Sequence, residues 1–153
     1  MQYWLFKSEP ETFSIDDLAK ATGKTTCWDG VRNYQVRNFM RDVMKRGDLA
    51  FFYHSSCAVP GITGVISITR TAYPDHTQFD HEHVHYDADS KPDTPRWLMV
   101  DVKLERKLKR IITLDELRQH EHQLKELLIL KRGNRLSVTP LSSDEWNYIL
   151  SLE

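Results

Sequence analysis

Two neighbouring segments in the middle of the chain constrain its fold more than any other feature. The first, from Leu49 to His54, is a continuous apolar run, which is typical of a buried strand. A loop over residues 55–60 separates it from Gly61–Tyr73, where residues rich in Ile, Val and Thr alternate in the manner of a long strand. The two segments therefore predict that the chain is organised around a β-sheet.

Shorter elements are predicted on either side of this pair. Strand patterns occur in three further segments, Tyr3–Lys7, Trp97–Leu104 and Arg135–Thr139. Helices are predicted where a capping residue precedes apolar residues at helical spacing, with caps at Ser14, Asn33, Thr113 and Ser142. The second of these helices is predicted to run from Asn33 to Arg46. Strands separated by single helices and long loops predict an α+β fold, in which a mixed β-sheet curls into a partial barrel with short helices packed outside.

The length and composition indicate one globular domain spanning residues 1–153. Hydrophobic residues make up 40% and charged residues 28% of the chain, which is ordinary for such a domain. Cys27 and Cys57 form neither a disulfide framework nor a zinc pattern, so a reducing, cytosolic setting is expected. The N-terminus does not have the pattern of a signal peptide, and no apolar run is long enough to span a membrane.

Charge is unevenly distributed along the chain although the net charge is −1. A total so close to zero argues against a protein that coats nucleic acid by bulk charge. Residues 32–46 and 103–110 each hold five basic residues against one acidic residue, whereas residues 75–95 hold six acidic residues against one lysine. Such separation either focuses a local field on a partner or is ordinary surface charge.

The densest group of side chains suited to recognition lies between Trp28 and Tyr34, at the start of a predicted helix. An indole and a phenol there would stack on a flat ring, while Arg32 and Asn33 would hydrogen-bond its edge. The alternative is a tryptophan buried in the core beside a solvated basic helix face. A basic stripe is predicted along the same helix, formed by Arg37, Arg41 and Lys45.

Patterns for catalysis or cofactor binding are missing from the sequence. It contains no nucleophile elbow, phosphate loop or dinucleotide glycine motif, so neither an enzyme nor a cofactor is expected. His81, His83 and His85 alternate, and in a strand their imidazoles would converge on a metal. They lie, however, in the polar segment 74–95, which is predicted to be an excursion loop, and no fourth ligand is specified. A solvated loop without metal is therefore the favoured interpretation.

Several motifs together resemble the EVE domain family over nearly the whole chain. In sequence order they are Lys7-Ser8-Glu9-Pro10, Trp28-Asp29-Gly30-Val31-Arg32-Asn33-Tyr34, Asn38-Phe39, Tyr53-His54-Ser55, the Trp97 strand and Arg135-Leu136-Ser137-Val138. The resemblance implies a PUA-like pseudo-barrel related in fold to YTH and ASCH domains. It also implies a non-catalytic module that reads a modified base in DNA or RNA, chiefly a modified cytosine, by taking it into an aromatic pocket.

The resemblance, read with the residue chemistry, suggests a role for each candidate residue. Trp28 would be a stacking wall, and Tyr34 would be a second wall or pack inside. His54 would either hydrogen-bond a base edge or be an imidazole satisfied within the fold. Edge recognition would fall to Ser8, Asn33 and Ser137, phosphate or carbonyl contacts to Arg32 and Arg135, and backbone contacts to Arg37, Arg41 and Lys45.

Two other classes of function stay open at this point. The chain would be an enzyme acting on a modified base or nucleotide, or a module that binds a small ligand or another protein. Animal members of the family carry a basic N-terminal tail, whereas this sequence starts directly at the first predicted strand. A prokaryotic source and a cytoplasmic location are therefore expected.

Overall fold

The computed structural model describes residues 1–153 and is built around one mixed sheet. Its strands are β1 (Tyr3–Ser8), β2 (Thr25–Cys27), β3 (Leu49–His54), β4 (Gly61–Pro74), β5 (Leu98–Thr113) and β6 (Val138–Leu141). They lie in the order β2-β5-β4-β3-β1-β6, with β1 and β3 parallel and every other neighbouring pair antiparallel. The predicted mixed sheet is confirmed, and it is not closed into a barrel because β2 and β6 each have a single neighbour.

Short helices flank the sheet: α1 (Ile15–Lys20), α2 (Tyr34–Asp42), α3 (Leu114–Gln119) and α4 (Ser143–Leu150). Every predicted N-cap is confirmed, because the side chains of Ser14, Asn33, Thr113 and Ser142 each accept a hydrogen bond from a backbone N–H in the first turn. None of the helices combines the length and the apolar character needed to cross a membrane.

The sheet has a hydrophobic core on each face. Successive residues of a strand point to opposite faces, so Phe51 and Phe52 of β3 enter different cores. Phe52 packs with Phe6 of β1 on the face covered by α1 and α2. Phe51 packs with Trp146 of α4 on the other face.

For two of the predicted elements, the end differs from the structure because tertiary contacts override the local pattern. Strand β5 continues past Leu104 to Thr113. The sequence pattern did not predict this second half because shifts of register in the pairing with β4 disturb the alternation of side chains. Helix α2 ends at Asp42 instead of Arg46. The buried carboxylate of Asp48 accepts the Lys45 N–H at 2.9 Å and draws the chain into a turn before β3.

Strand β2 was not predicted at all. It is only three residues long, which is too short for an alternation pattern to emerge. It pairs with β5 in register Thr26 to Val102, and the Trp28 N–H extends the ladder by donating to the Val100 carbonyl at 2.7 Å. This edge strand fixes where the Trp28 segment begins.

Candidate base-binding site

A cavity of about 540 Å³ opens beside the carboxyl end of β1 and the turn that follows β2. Its volume lies within the range of sites that take small organic molecules. The lining residues are Lys7, Ser8, Glu9, Thr12, Phe13, Thr26, Cys27, Trp28, Asp29 and His85. Most of them are polar or charged, so the cavity offers hydrogen bonds as well as apolar surface.

Trp28 forms the main aromatic wall of this cavity. Its ring makes T-shaped contacts with Phe6 at 5.1 Å and Phe52 at 5.7 Å between ring centroids. No other aromatic ring lies parallel to it, and the residue is only partly buried. Trp28 therefore contacts the core and the cavity at once, which reconciles the two interpretations of it from sequence.

The turn after Trp28 is held by Asp75, a fully buried carboxylate that follows β4. Asp75 accepts hydrogen bonds from the Gly30 N–H at 2.8 Å and from the Thr77 N–H and hydroxyl at 2.8 and 2.5 Å. Burial raises the pKa of Asp75, but these bonds and that from Arg32 outweigh it, so the pKa lies below its usual value. The anion is thus a fixed anchor for the wall of the cavity.

Arg32 connects this anchor to the segment between β4 and β5. Its guanidinium donates to Asp75 at 3.1 Å, to the Thr77 hydroxyl at 3.1 Å, and to the Val31 carbonyl at 2.8 Å. It also donates twice to the His85 carbonyl, at 3.1 and 2.7 Å. These bonds occupy all the N–H groups of an arginine. Arg32 lies outside the cavity lining, where its donors hold protein groups in place rather than facing a ligand.

His85 is carried to the cavity by that segment. Its ring packs so closely on Gly30 that a β-carbon there would lie 2.6 Å from the imidazole Cε1. Gly30 also has a φ of +79°, a region that favours glycine. Burial, followed by the charges of Arg32 and His83, lowers the pKa of His85, which favours the neutral ring.

The segment 74–95 is the predicted loop between β4 and β5, but it is packed rather than solvated. It is not a strand, and no group of three or more His, Cys, Asp or Glu side chains is placed to hold a metal. It is not a loosely solvated loop either, because Asp75, Thr77, Gln78 and Ser90 are buried and hydrogen-bonded. It folds back as a packed wall against the Trp28 turn.

The other predicted base-contacting residues are dispersed around the cavity. Ser8 lines it, with its hydroxyl donating to the Phe13 carbonyl at 2.5 Å. Asn33 caps α2, and exposed Tyr34 stacks on Trp97 at 4.8 Å. Neither residue lines the cavity.

His54 and the β6 residues also lie outside the lining. The Nε2 of His54 accepts the Ile15 N–H at 3.1 Å, and burial lowers the pKa of this imidazole. Its geometry matches the interpretation of an imidazole satisfied within the fold. Arg135 is exposed, and the Ser137 carbonyl accepts the Lys7 N–H at 2.8 Å. This bond brings the Arg135 loop alongside a residue of the cavity rim.

The predicted basic stripe does not form as a single helix face. Lys45 lies beyond the end of α2, because its backbone N–H donates to the Asp48 carboxylate in the turn before β3. Arg41 pairs with Asp42 at 2.9 Å. Arg37 donates to the Arg96 carbonyl at 3.1 Å and to the Asn38 side chain at 2.8 Å. Much of the positive charge predicted for this surface is therefore already engaged with protein acceptors.

Sequence reasoning did not place Lys7, Asp29 and His85 in the cavity lining, nor Asp75 behind the turn that follows Trp28. Lys7 and Asp29 stand inside the motifs already singled out, so their neighbours marked the place. His85 and Asp75 had no comparable local signal, because Arg32 and the His85 carbonyl that it binds are 53 residues apart. Only the tertiary fold brings them together.

The sequence matches a known protein family and several named proteins. The family model described as EVE domain matches residues 2–152. Thymocyte nuclear protein 1 of Danio rerio is 52% identical, covering 98% of this chain and 71% of that protein. The Homo sapiens protein of the same name is 50% identical, covering 99% and 73% respectively. These relatives contradict the expectation of a cytoplasmic prokaryotic protein, since they are eukaryotic and named as nuclear.

A solved structure adds a bound partner to the comparison. The crystal structure of human THYN1 protein in complex with 5-methylcytosine containing DNA superimposes with a TM-score of 0.95 at 48% identity. The match covers 99% of this chain and 97% of that one.

Proposed function

Because the chain belongs to the EVE domain family, we propose that it reads a modified cytosine in DNA by taking the base into the Trp28 cavity without altering it chemically. The observation that carries this proposal is the cavity itself. It combines an aromatic wall that no parallel ring covers with a polar lining, on the fold of a protein solved with 5-methylcytosine DNA.

The energetics of base extrusion match what the cavity supplies. Removing a base from a duplex costs a few kcal/mol of stacking and pairing. Stacking against an aromatic side chain such as Trp28 returns roughly 1–3 kcal/mol. Hydrogen bonds from the polar lining must provide the remainder, and a 5-methyl group adds apolar contact. Modification would thus shift a closely balanced equilibrium towards the extruded state.

Binding without turnover fits the ionisation of the cavity. The thiol of Cys27 is the strongest potential nucleophile in the lining, but burial, followed by the charges of Asp29 and Asp101, raises its pKa. A protonated thiol is a poor nucleophile. The imidazole of His54, which could serve as a base, lies outside the lining and accepts the Ile15 N–H.

Matched oligonucleotides test this proposal. Duplexes that differ only in one 5-methylcytosine or cytosine are titrated with the protein at fixed salt, by fluorescence anisotropy. Wild type should prefer the methylated duplex, and Trp28→Ala should lose roughly 1–3 kcal/mol of that binding. Tyr34→Ala is the matched control, because it removes an exposed aromatic outside the cavity.

Two further arms separate the proposal from its alternatives. Mass analysis after prolonged incubation should return the DNA unchanged, and a released base or cleaved strand would indicate an enzyme. A modified RNA strand of the same sequence measures whether the polymer matters. Equal affinity of wild type for methylated and unmethylated duplexes would contradict the proposed function.

A further inference from the structure

Two polar groups, the carboxylate of Asp29 and the imidazole of His85, stand together beside the Trp28 wall. Both line the cavity, and Asp29 follows Trp28 directly in the chain. His85 lies over Gly30, the next residue of the same turn. The charge of Asp29 also acts on the imidazole, where it opposes part of the lowering of the pKa. An acceptor and a ring with two nitrogens are thus neighbours at one end of the cavity.

Neither the Asp29 carboxylate nor the His85 ring is hydrogen-bonded to another protein group. Asp29 is exposed and makes no ion pair or side-chain hydrogen bond. The Nδ1 atom of His85 is buried and has no hydrogen-bond partner, whereas no protein group occupies Nε2. Protonating both nitrogens would strand a buried N–H donor, which is unfavourable. A neutral ring with its proton on Nε2 therefore keeps one N–H donor that no protein group uses.

We propose that Asp29 and His85 together read the amino-bearing edge of the base, so that the site selects cytosine over thymine independently of the 5-methyl group. The inference rests on the proposed function. Asp29 accepts a hydrogen bond from the exocyclic amine, as carboxylates do from cytosine N4. His85 donates from Nε2 to the neighbouring ring nitrogen N3. Thymine carries the same methyl group but reverses both partners, with a carbonyl facing Asp29 and an N–H facing His85.

The reading pair shares a common support. Asp75 fixes Gly30, the residue next to Asp29, through the backbone N–H at 2.8 Å. Arg32 joins the same Asp75 to the His85 carbonyl. Asp75 and Arg32 are therefore positioning residues, which set the separation of the two reading groups without facing the base. This role accounts for an arginine whose N–H groups are all hydrogen-bonded to the protein, and for the buried carboxylate of Asp75, behind the cavity.

The experiment compares 5-methylcytosine with thymine in duplexes that place an abasic site opposite the tested base. The abasic site removes the difference in pairing energy, so that only the edge of the base differs. Wild type should bind 5-methylcytosine about tenfold more tightly, in line with the discrimination expected of a good pair of hydrogen bonds. Asp29→Ala and His85→Phe should each reduce this ratio, and the double variant should bring it close to one.

Controls outside the cavity but in the same segment keep the result specific. Glu82→Gln neutralises an exposed carboxylate and His81→Ala removes an exposed imidazole, neither of which lines the cavity; both should keep the wild-type ratio. His85→Gln retains an N–H donor and should restore part of the ratio lost in His85→Phe. Thermal unfolding of each variant identifies any that fail to fold, and the Gln variant then carries the test.

The outcomes separate this inference from the proposed function. A wild type that prefers 5-methylcytosine to cytosine but binds 5-methylcytosine and thymine equally would overturn the edge reading alone. A double variant that keeps the full ratio would overturn it as well. A wild type without any methyl preference would instead overturn the proposed function.

Discussion

Two tryptophans on opposite faces of the same sheet have different surroundings. Trp146 is 3% exposed and lies nearly parallel to Phe51 at 3.9 Å and to Tyr3 at 4.7 Å. Trp28 has only T-shaped aromatic neighbours and borders the cavity. Phe51 supports one of them and its neighbour Phe52 the other, because consecutive strand residues face opposite ways.

The difference shows how one residue type serves stability on one face and recognition on the other. An aromatic ring stacked within a core has already realised its packing energy. A ring that is held in place but lacks a parallel partner keeps surface for a ligand. We therefore expect mutations on the Trp146 face to act on the free energy of unfolding and mutations on the Trp28 face to act mainly on binding.

The largest effect is expected at Trp146. Trp146→Ala should lower the free energy of unfolding by about 3–5 kcal/mol, because a large buried side chain is lost and a cavity remains. Trp28→Ala should cost clearly less stability, since that ring is only partly buried. Denaturant titration of both variants measures the two losses. Equal losses would mean that the two faces do not differ as described.

Asp75 is expected to act on both stability and binding, because it is the anchor behind the cavity wall. Asp75→Asn should cost about 1.5–3 kcal/mol of unfolding free energy, the range for hydrogen bonds to charged groups, and should weaken binding of the modified base. Asp93→Asn is the control, since that exposed side chain lies in the same segment. Wild-type stability in Asp75→Asn would rule out the anchor.

A smaller effect is expected from free surface charge beside the cavity. Arg135 is exposed, makes no ion pair and lies in the loop that joins the rim through Lys7. Arg135→Gln should flatten the salt dependence of DNA binding by about one unit of slope. Arg110→Gln is the control, because Arg110 already pairs with Glu116 at 2.6 Å. Unchanged slopes in both variants would remove Arg135 from the binding surface.

The smallest effect is expected from the titration of His54. Burial lowers its pKa in the folded protein from the ordinary 6.5, so below that pH the unfolded chain takes up a proton that the folded chain does not. Stability should therefore be complete above about pH 6.5 and fall as the pH drops towards the folded pKa. His85 contributes in the same direction.

His54→Gln tests this assignment, because an amide oxygen still accepts the Ile15 N–H. Denaturation at several pH values should show a shallower loss of stability in acid for the variant than for wild type. Identical pH profiles would mean that His54 is not responsible.

Local patterns predicted most of the sheet and all of the helix caps. The apolar run of β3 and the capping residues of α1 and α4 are sequence signals that act within a few residues. The boundary errors arose where a distant group decides the outcome. Asp48 ends α2, and the irregular register between β4 and β5 hides the second half of β5.

The residues of the candidate site also divide into those with a local sequence signal and those placed by distant contacts. Trp28 was predicted because its motif is contiguous and chemically distinctive. His85 was not, because its place in the lining depends on Arg32 and Asp75, and the charge of Asp75 counted in the sequence only as part of an acidic loop. Arg32 was predicted to contact a phosphate or a carbonyl of the ligand, whereas its carboxylate partner in the structure lies 43 residues further along the chain.

The position of the modified base in a crystal structure of this protein with 5-methylcytosine duplex DNA is the most direct measurement. The predicted result is an extruded base inside the cavity, with its ring against Trp28 and its amino edge towards Asp29 and His85. A base that remains stacked in the duplex, or that lies on the exposed Tyr34 and Trp97 pair with the cavity unfilled, would contradict the role assigned to the cavity.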